Sequence, residues 1–153
     1  MSKHYSSGAD LSAKTLRGVN ILADNVASTL GPRGRTVLLQ RAGRRPFVSK
    51  DGVTVAEHVV LDDPIENAAV QILKQASSQT NALAGDGTTT SMVLARAILR
   101  EAQKHVVAGV APIQVKRALD RATETLIHNL SELATPIQSE EDVAHIATIS
   151  ANN

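Results

Sequence analysis

The chain is 153 residues long, about the size of one domain, and its sixteen basic and fifteen acidic side chains leave a net charge of +1, so bulk charge singles out no polyanionic partner. Hydrophobic residues make up 42% but aromatics only 1%, Tyr5 and Phe47, so the core must be built from Ala, Val, Leu and Ile in closely packed helices. That scarcity argues against a base-stacking nucleic-acid platform, and the absence of cysteine excludes disulfides, thiolate zinc sites and thiol nucleophiles.

The first predicted helix is capped at Asp10 and places Leu16, Val19, Ala23, Val26 and Leu30 at steps of three and four residues before Gly31-Pro32 stops it. Thr36–Gln40 and Pro46–Lys50 read as two short strands. Asp51-Gly52 is a turn signal, followed by a further strand at Val53-Thr54-Val55. Asp63-Pro64 opens a second helix with a cap and an N1 proline, and Ile65, Ala68, Ile72 and Ala76 form its buried stripe. A third helix runs from Thr88 through Leu94, Ile98, Ala102 and Val106 to Gly109. A fourth starts at Pro112 and carries Val115, Leu119, Ala122, Leu126, Leu130 and Leu133. Thr135-Pro136 reads as a linker, and Ser139-Glu140-Glu141-Asp142 caps a last short helix. The fold class is mainly α: a helical bundle with a small inserted β element.

No apolar run is long enough to span a membrane, and the first eight residues lack a signal peptide's apolar core, so the cytosol is the default location. His4, His58, His105, His128 and His145 are scattered, and none pairs at metal-ligand spacing. The chain stops at Asn152-Asn153 directly after a helix, which reads as a cut.

Ala84-Gly85-Asp86-Gly87-Thr88-Thr89-Thr90 joins two helical patterns. Glycines allow close backbone approach, and the first turn of the next helix aims N–H groups and a positive dipole end forward, an arrangement that suits phosphate. A carboxylate at Asp86 beside phosphates is explained by a shared Mg²⁺ ion. Helix capping is the competing reading. The stretch is not a P-loop, because no Gly-Lys-Ser/Thr follows. Thr29-Leu30-Gly31-Pro32-Arg33-Gly34-Arg35 reads either as a helix stop with a solvated basic turn or as a ligand loop. Lys50-Asp51-Gly52 reads either as a hairpin turn or as a cation facing phosphates beside a carboxylate that positions water or metal. Together the three junctions supply the equipment for Mg²⁺-assisted phosphoryl transfer to water.

These segments, with Leu16-Arg17-Gly18-Val19-Asn20 and Ala147-Thr148-Ile149-Ser150-Ala151-Asn152, occur in the order and at the spacing of the group I chaperonins, and the chain resembles the N-terminal part of such a GroEL-type sixty-kilodalton subunit. The resemblance implies that residues 1–134 are the N-terminal part of the equatorial ATP-binding domain and residues 135–153 the start of the intermediate hinge domain. It implies that Thr29, Leu30, Gly31, Pro32 and Lys50 contact nucleotide and that Asp86, Gly87, Thr88, Thr89 and Thr90 wrap its phosphates. Asp86 would ligate Mg²⁺ and Asp51 would support hydrolysis; K⁺ is a further ion the site admits. The implied partners are non-native polypeptides, identical subunits in seven-membered rings, and a co-chaperonin reached through an apical domain that this chain lacks. No specific nucleic acid or membrane is among them.

The leading functional expectation is therefore an ATP-dependent chaperonin subunit, present here as a fragment that is inactive alone and prone to associate. The alternative is a truncated interaction module with weak or no nucleotide turnover. A nucleic-acid binder using the basic loop at Arg41, Arg44 and Arg45 is the least favoured reading, and the loop is expected to be a solvated turn.

Overall fold

The computed structural model describes residues 4–31, 34–40 and 43–151; Pro32, Arg33, Arg41 and Asn152, named above, lie outside them. The elements in chain order are helix α1 (Gly8–Ala27), strands β1 (Val37–Leu39) and β2 (Phe47–Ser49), and helices α2 (Gly52–His58), α3 (Pro64–Ala84), α4 (Thr88–Val107), α5 (Pro112–Leu133) and α6 (Glu140–Ser150). The fold is mainly α with a small β element, as the sequence pattern predicts. The chain divides into two compact units, residues 1–104 and 105–153.

In the first unit α1 buries Val19, Leu22, Ala23 and Val26, and α3 buries Ala69, Val70 and Leu73. Val55 and Ala56 of α2, Leu39 of β1 and Met92 of α4 complete the core. α1 and α3 cross closely. A methyl group on Gly18 would collide with the carbonyl oxygen of Glu66 and lie 3.0 Å from its carbon. Two ion pairs join the same helices, Lys14 Nζ to Asp63 Oδ2 at 2.7 Å and Arg17 Nη1 to Glu66 Oε1 at 2.8 Å. A third links Arg96 of α4 to Asp24 of α1.

Asp63 caps α3, its Oδ1 accepting from the N–H groups of Ile65 and Glu66, with Pro64 opening the first turn. Ser139 and Asp142 form a reciprocal capping box on α6. β1 and β2 pair antiparallel, Leu38 opposite Val48, and Arg44 and Arg45 are exposed in the connection between them.

Several local expectations are corrected. Asp10 is not the cap of α1. The helix starts at Gly8, and Asp10 accepts from Ser6 Oγ at 2.7 Å inside the first turn. Val53-Thr54-Val55 is helix, not strand, because Asp51 accepts from the two N–H groups that open α2. The buried stripe of α3 lies one residue further on than expected. Ile65 is half-buried and Ala68, Ile72 and Ala76 are exposed, since α3 is apolar on two adjoining faces and the one carrying Ala69, Val70 and Leu73 meets α1. α4 likewise presents Met92, Ala95 and Leu99 to the core, whereas Leu94 and Ile98 are exposed.

In the second unit, Pro112 opens α5 after Ala111. None of the residues of α5 is buried, so its expected Leu119, Leu126, Leu130 and Leu133 stripe is amphipathic but open. A unit of two helices has too little surface to enclose such a stripe.

Two outcomes follow from the α1–α3 contact. Gly18→Ala forces the helices apart and is expected to lower the unfolding free energy by about 1–3 kcal/mol, measured by urea denaturation. The hydrogen bond from Lys14, helped by the α3 N–H groups, holds the Asp63 carboxyl at about 2, below its ordinary value of 3.8. A lowered carboxyl stabilises the fold above its unfolded pKa and loses that contribution as acid approaches the folded value. Stability should thus fall between about pH 4 and pH 2, and Asp63→Asn should flatten that part of the profile when helical circular dichroism is followed against pH.

Candidate functional site

Three chain segments far apart in sequence meet at the start of α2. Gly52, the first residue of that helix, is buried, and a Cβ placed on it would overlap Thr89 Oγ1 and lie 3.3 Å from Thr29 Oγ1. The hydroxyls of the first and third junctions therefore both rest on the backbone of the second.

Each segment is held there by its own local bonds. Thr29 follows the end of α1 and its Oγ1 donates to Val26 O at 2.7 Å, fixing the side chain against the helix. The loop behind it is closed by the Arg35 N–H on Ser28 O at 2.7 Å and the Gly34 N–H on Gly31 O at 2.9 Å. At the second junction Asp51 is an N-cap and not a hairpin turn. Oδ1 accepts from Val53 N at 3.2 Å, and Oδ2 accepts from Thr54 N at 3.0 Å and Thr54 Oγ1 at 2.6 Å. Partial burial acts to raise the Asp51 pKa, but the hydrogen bonds from the Thr54 hydroxyl and the two N–H groups outweigh it and hold the carboxyl below 3.8. Asp51 is thus ionised at neutral pH.

At the third junction α3 ends on Gly85 in the left-handed region (φ 72°), its N–H returning to Asn81 O, and Gly87 is left-handed as well (φ 80°). Two such residues almost in succession turn the chain sharply, and glycine adopts that conformation without steric penalty. The Gly87 N–H donates to Asp86 Oδ1 at 2.6 Å. α4 then begins at Thr88, and Ser77 Oγ of α3 and Ser91 Oγ both donate to the Thr88 carbonyl, at 3.2 and 2.7 Å.

Thr29, Thr88 and Thr89 are half-buried, as is Gly87; Leu30, Gly31, Lys50, Asp51, Asp86 and Thr90 are exposed. Every described candidate lies within three residues along the chain of Thr29, Gly52 or Thr89, the positions that touch. Pro32 lies outside the described residues.

Two supporting residues escaped the sequence reading. Lys74 of α3 donates from Nζ to Glu57 O at 3.1 Å and Val59 O at 2.8 Å, so a cation closes the carbonyl end of α2. Ser77 is buried and ties α3 to the first residue of α4. Both face a cavity of about 170 Å³ lined also by Val53, Ala56, Asn81 and Thr88. A lysine ten residues into α3 carries no local signal for capping a helix that precedes it. Ser77 interrupting an apolar face was the only hint available.

Chemically, the junction combines a helix start, glycines in left-handed conformation, three successive hydroxyls and two carboxylates. Helix starts and such glycine turns present N–H groups to anions, and hydroxyls add donors and acceptors. A carboxylate among them suits a hard divalent cation carried with phosphates. The donor set therefore fits Mg²⁺-nucleotide, with Asp86 the candidate metal ligand.

The sequence model of the TCP-1/cpn60 chaperonin family matches residues 22–153, a span that takes in all three junctions.

Replacing Asp51 separates its structural from its chemical part. Asp51→Ala removes the cap of α2 and is expected to lower stability by about 1 kcal/mol, whereas Asp51→Asn keeps a capping oxygen and should stay within a few tenths, as urea denaturation of the two variants will tell.

Proposed function

The chain belongs to the TCP-1/cpn60 chaperonin family, and from that membership we propose that it acts as a subunit of an ATP-driven, group I type chaperonin that assists the folding of non-native polypeptides within a ring of identical subunits. In this reading residues 1–134 are the N-terminal part of the equatorial ATP-binding domain and residues 135–153 begin the intermediate domain. The observation that carries the nucleotide-site reading is the meeting of Thr29, Gly52 and Thr89, three positions each separated from the next by more than twenty residues of chain.

The roles are those the family resemblance implies, and the chemistry of the groups suits them. Thr29, Leu30, Gly31, Pro32 and Lys50 would contact the nucleotide, the lysine as a point charge toward phosphate oxygens. Gly87, Thr88, Thr89 and Thr90 offer N–H and hydroxyl donors at the start of α4. Asp86 is the ligand for Mg²⁺, which when bound neutralises charge on the phosphates. Asp51, ionised and oriented by its bonds to α2, would accept a hydrogen bond from the attacking water and so position it. K⁺ is a further ion compatible with the oxygen-rich surroundings. Co-chaperonin binding and client capture belong to an apical domain, and the cytoplasm is the proposed location. In the described residues no helix is long and apolar enough to cross a membrane.

Asp86→Asn should weaken Mg²⁺-nucleotide affinity at least tenfold in a titration with a fluorescent ATP analogue. Asp51→Asn should leave that affinity within about threefold while slowing hydrolysis by the assembled protein at least a hundredfold, the scale of losing a positioned base. Unchanged affinity in the first variant and unchanged turnover in the second would overturn the assignment.

A further inference from the structure

The contact at Gly52 has a consequence of its own, resting on the nucleotide-site reading above. Gly52 has no side chain to offer a ligand. What it supplies is room: its α-hydrogen faces the space in which Thr89 Oγ1 sits, with Thr29 Oγ1 on the same side. Thr89 Cβ lies 3.2 Å from where a Gly52 Cβ would stand, so a methyl group displaces the whole side chain and not only its tip. Neither neighbour can yield easily. Thr29 Oγ1 is tied to Val26 O. Thr89 is β-branched and sits in the first turn of α4, and its Cβ as well as its hydroxyl lies against the added methyl group. The preceding residue of that turn is bonded to Ser77 and Ser91.

Gly52 cannot retreat either. It is buried, and the helix it opens is fixed at its start by Asp51 and at its carbonyl end by Lys74, with Val55 and Ala56 in the core. A methyl group at position 52 must therefore be absorbed by moving the start of α4 away from the start of α2.

We propose that Gly52 is a positioning residue that sets the spacing between Asp51 and the threonines of α4, acting through the seat it provides for the Thr89 hydroxyl. The hydrolytic carboxylate and the phosphate-binding turn are held in register by the absence of a side chain.

The test is a coupled set of variants with two measurements, unfolding midpoint in urea and affinity for Mg²⁺-ATP by calorimetry. Gly52→Ala should lower the midpoint and weaken affinity at least tenfold. Adding Thr89→Ala, which removes the colliding oxygen, should recover part of the loss in midpoint, and the double variant should bind less poorly than the two single changes predict together. Adding Thr89→Val in its place restores a methyl group where the oxygen stood and should recover nothing. Additive effects of Gly52→Ala and Thr89→Ala, or equal recovery by alanine and valine, would overturn the positioning role. Wild-type protein that binds no Mg²⁺-ATP, whatever the coupling in urea, would overturn the nucleotide-site reading and this proposal with it.

Discussion

The candidate site depends on a helix that is too short to stand alone. Isolated helices below about 12–15 residues are marginal in water, and α2 has seven. It exists because both its ends and its middle are supplied from elsewhere. The Asp51 carboxylate takes up N–H groups at one end, Lys74 takes up carbonyls at the other, and Val55 and Ala56 are buried between α1, α3 and the hairpin. Together these fix the backbone of Gly52, on which the contact with Thr29 and Thr89 rests.

That contact also brings two helix starts together. Each start carries a partial positive charge of roughly half an electron from its unsatisfied N–H groups, less for a helix as short as α2, and the two repel. Carboxylates answer the repulsion at both. Asp51 accepts from the opening N–H groups of α2, and Asp86 lies two residues before α4 and accepts from Gly87. The same charges that make the junction foldable are the ones on which the proposed Mg²⁺-phosphate site rests. The capping reading and the functional reading of these aspartates are therefore compatible: a carboxylate oxygen has more than one lone pair, and a cap also fixes the direction in which the remaining ones point.

What was legible in the sequence were features carried by neighbouring residues. Asp63-Pro64 announced the start of α3, and Ser139 with Asp142 announced α6, because a cap and the N–H groups it satisfies lie within three residues. Val53-Thr54-Val55 was misread as a strand because two valines and a threonine favour extended backbone, and Asp51-Gly52 resembles a turn as well as a cap; the buried positions of Val55 and Ala56 decided the matter. The stripe on α3 was displaced because Ile65, Ala68, Ile72 and Ala76 and their neighbours Ala69, Val70 and Leu73 are both apolar at helical spacing, and only the position of α1 chooses between them. For the site, the three junctions were visible as motifs and expected to converge, but the contact on which they meet was not foreseen. It rests on Gly52 and Thr89, thirty-seven positions apart, and a glycine's missing side chain leaves no periodicity to detect.

The close approaches at Gly18 and Gly52 act on one another. Gly18 lets α1 lie against the backbone of α3 at Glu66, and α2 packs on both helices through Val55 and Ala56. Thr29 leaves the end of α1, while Ser77 of α3 holds the first residue of α4 through its carbonyl. The path from Thr29 to Thr89 therefore runs through the packing of α1 on α3. A core of Ala, Val and Leu transmits such spacing well, since its side chains are short and leave little slack before backbone meets backbone. The scarcity of aromatic residues thus serves the site: bulky rings between α1 and α3 would hold the helices too far apart for a hydroxyl from each of two other segments to rest on Gly52.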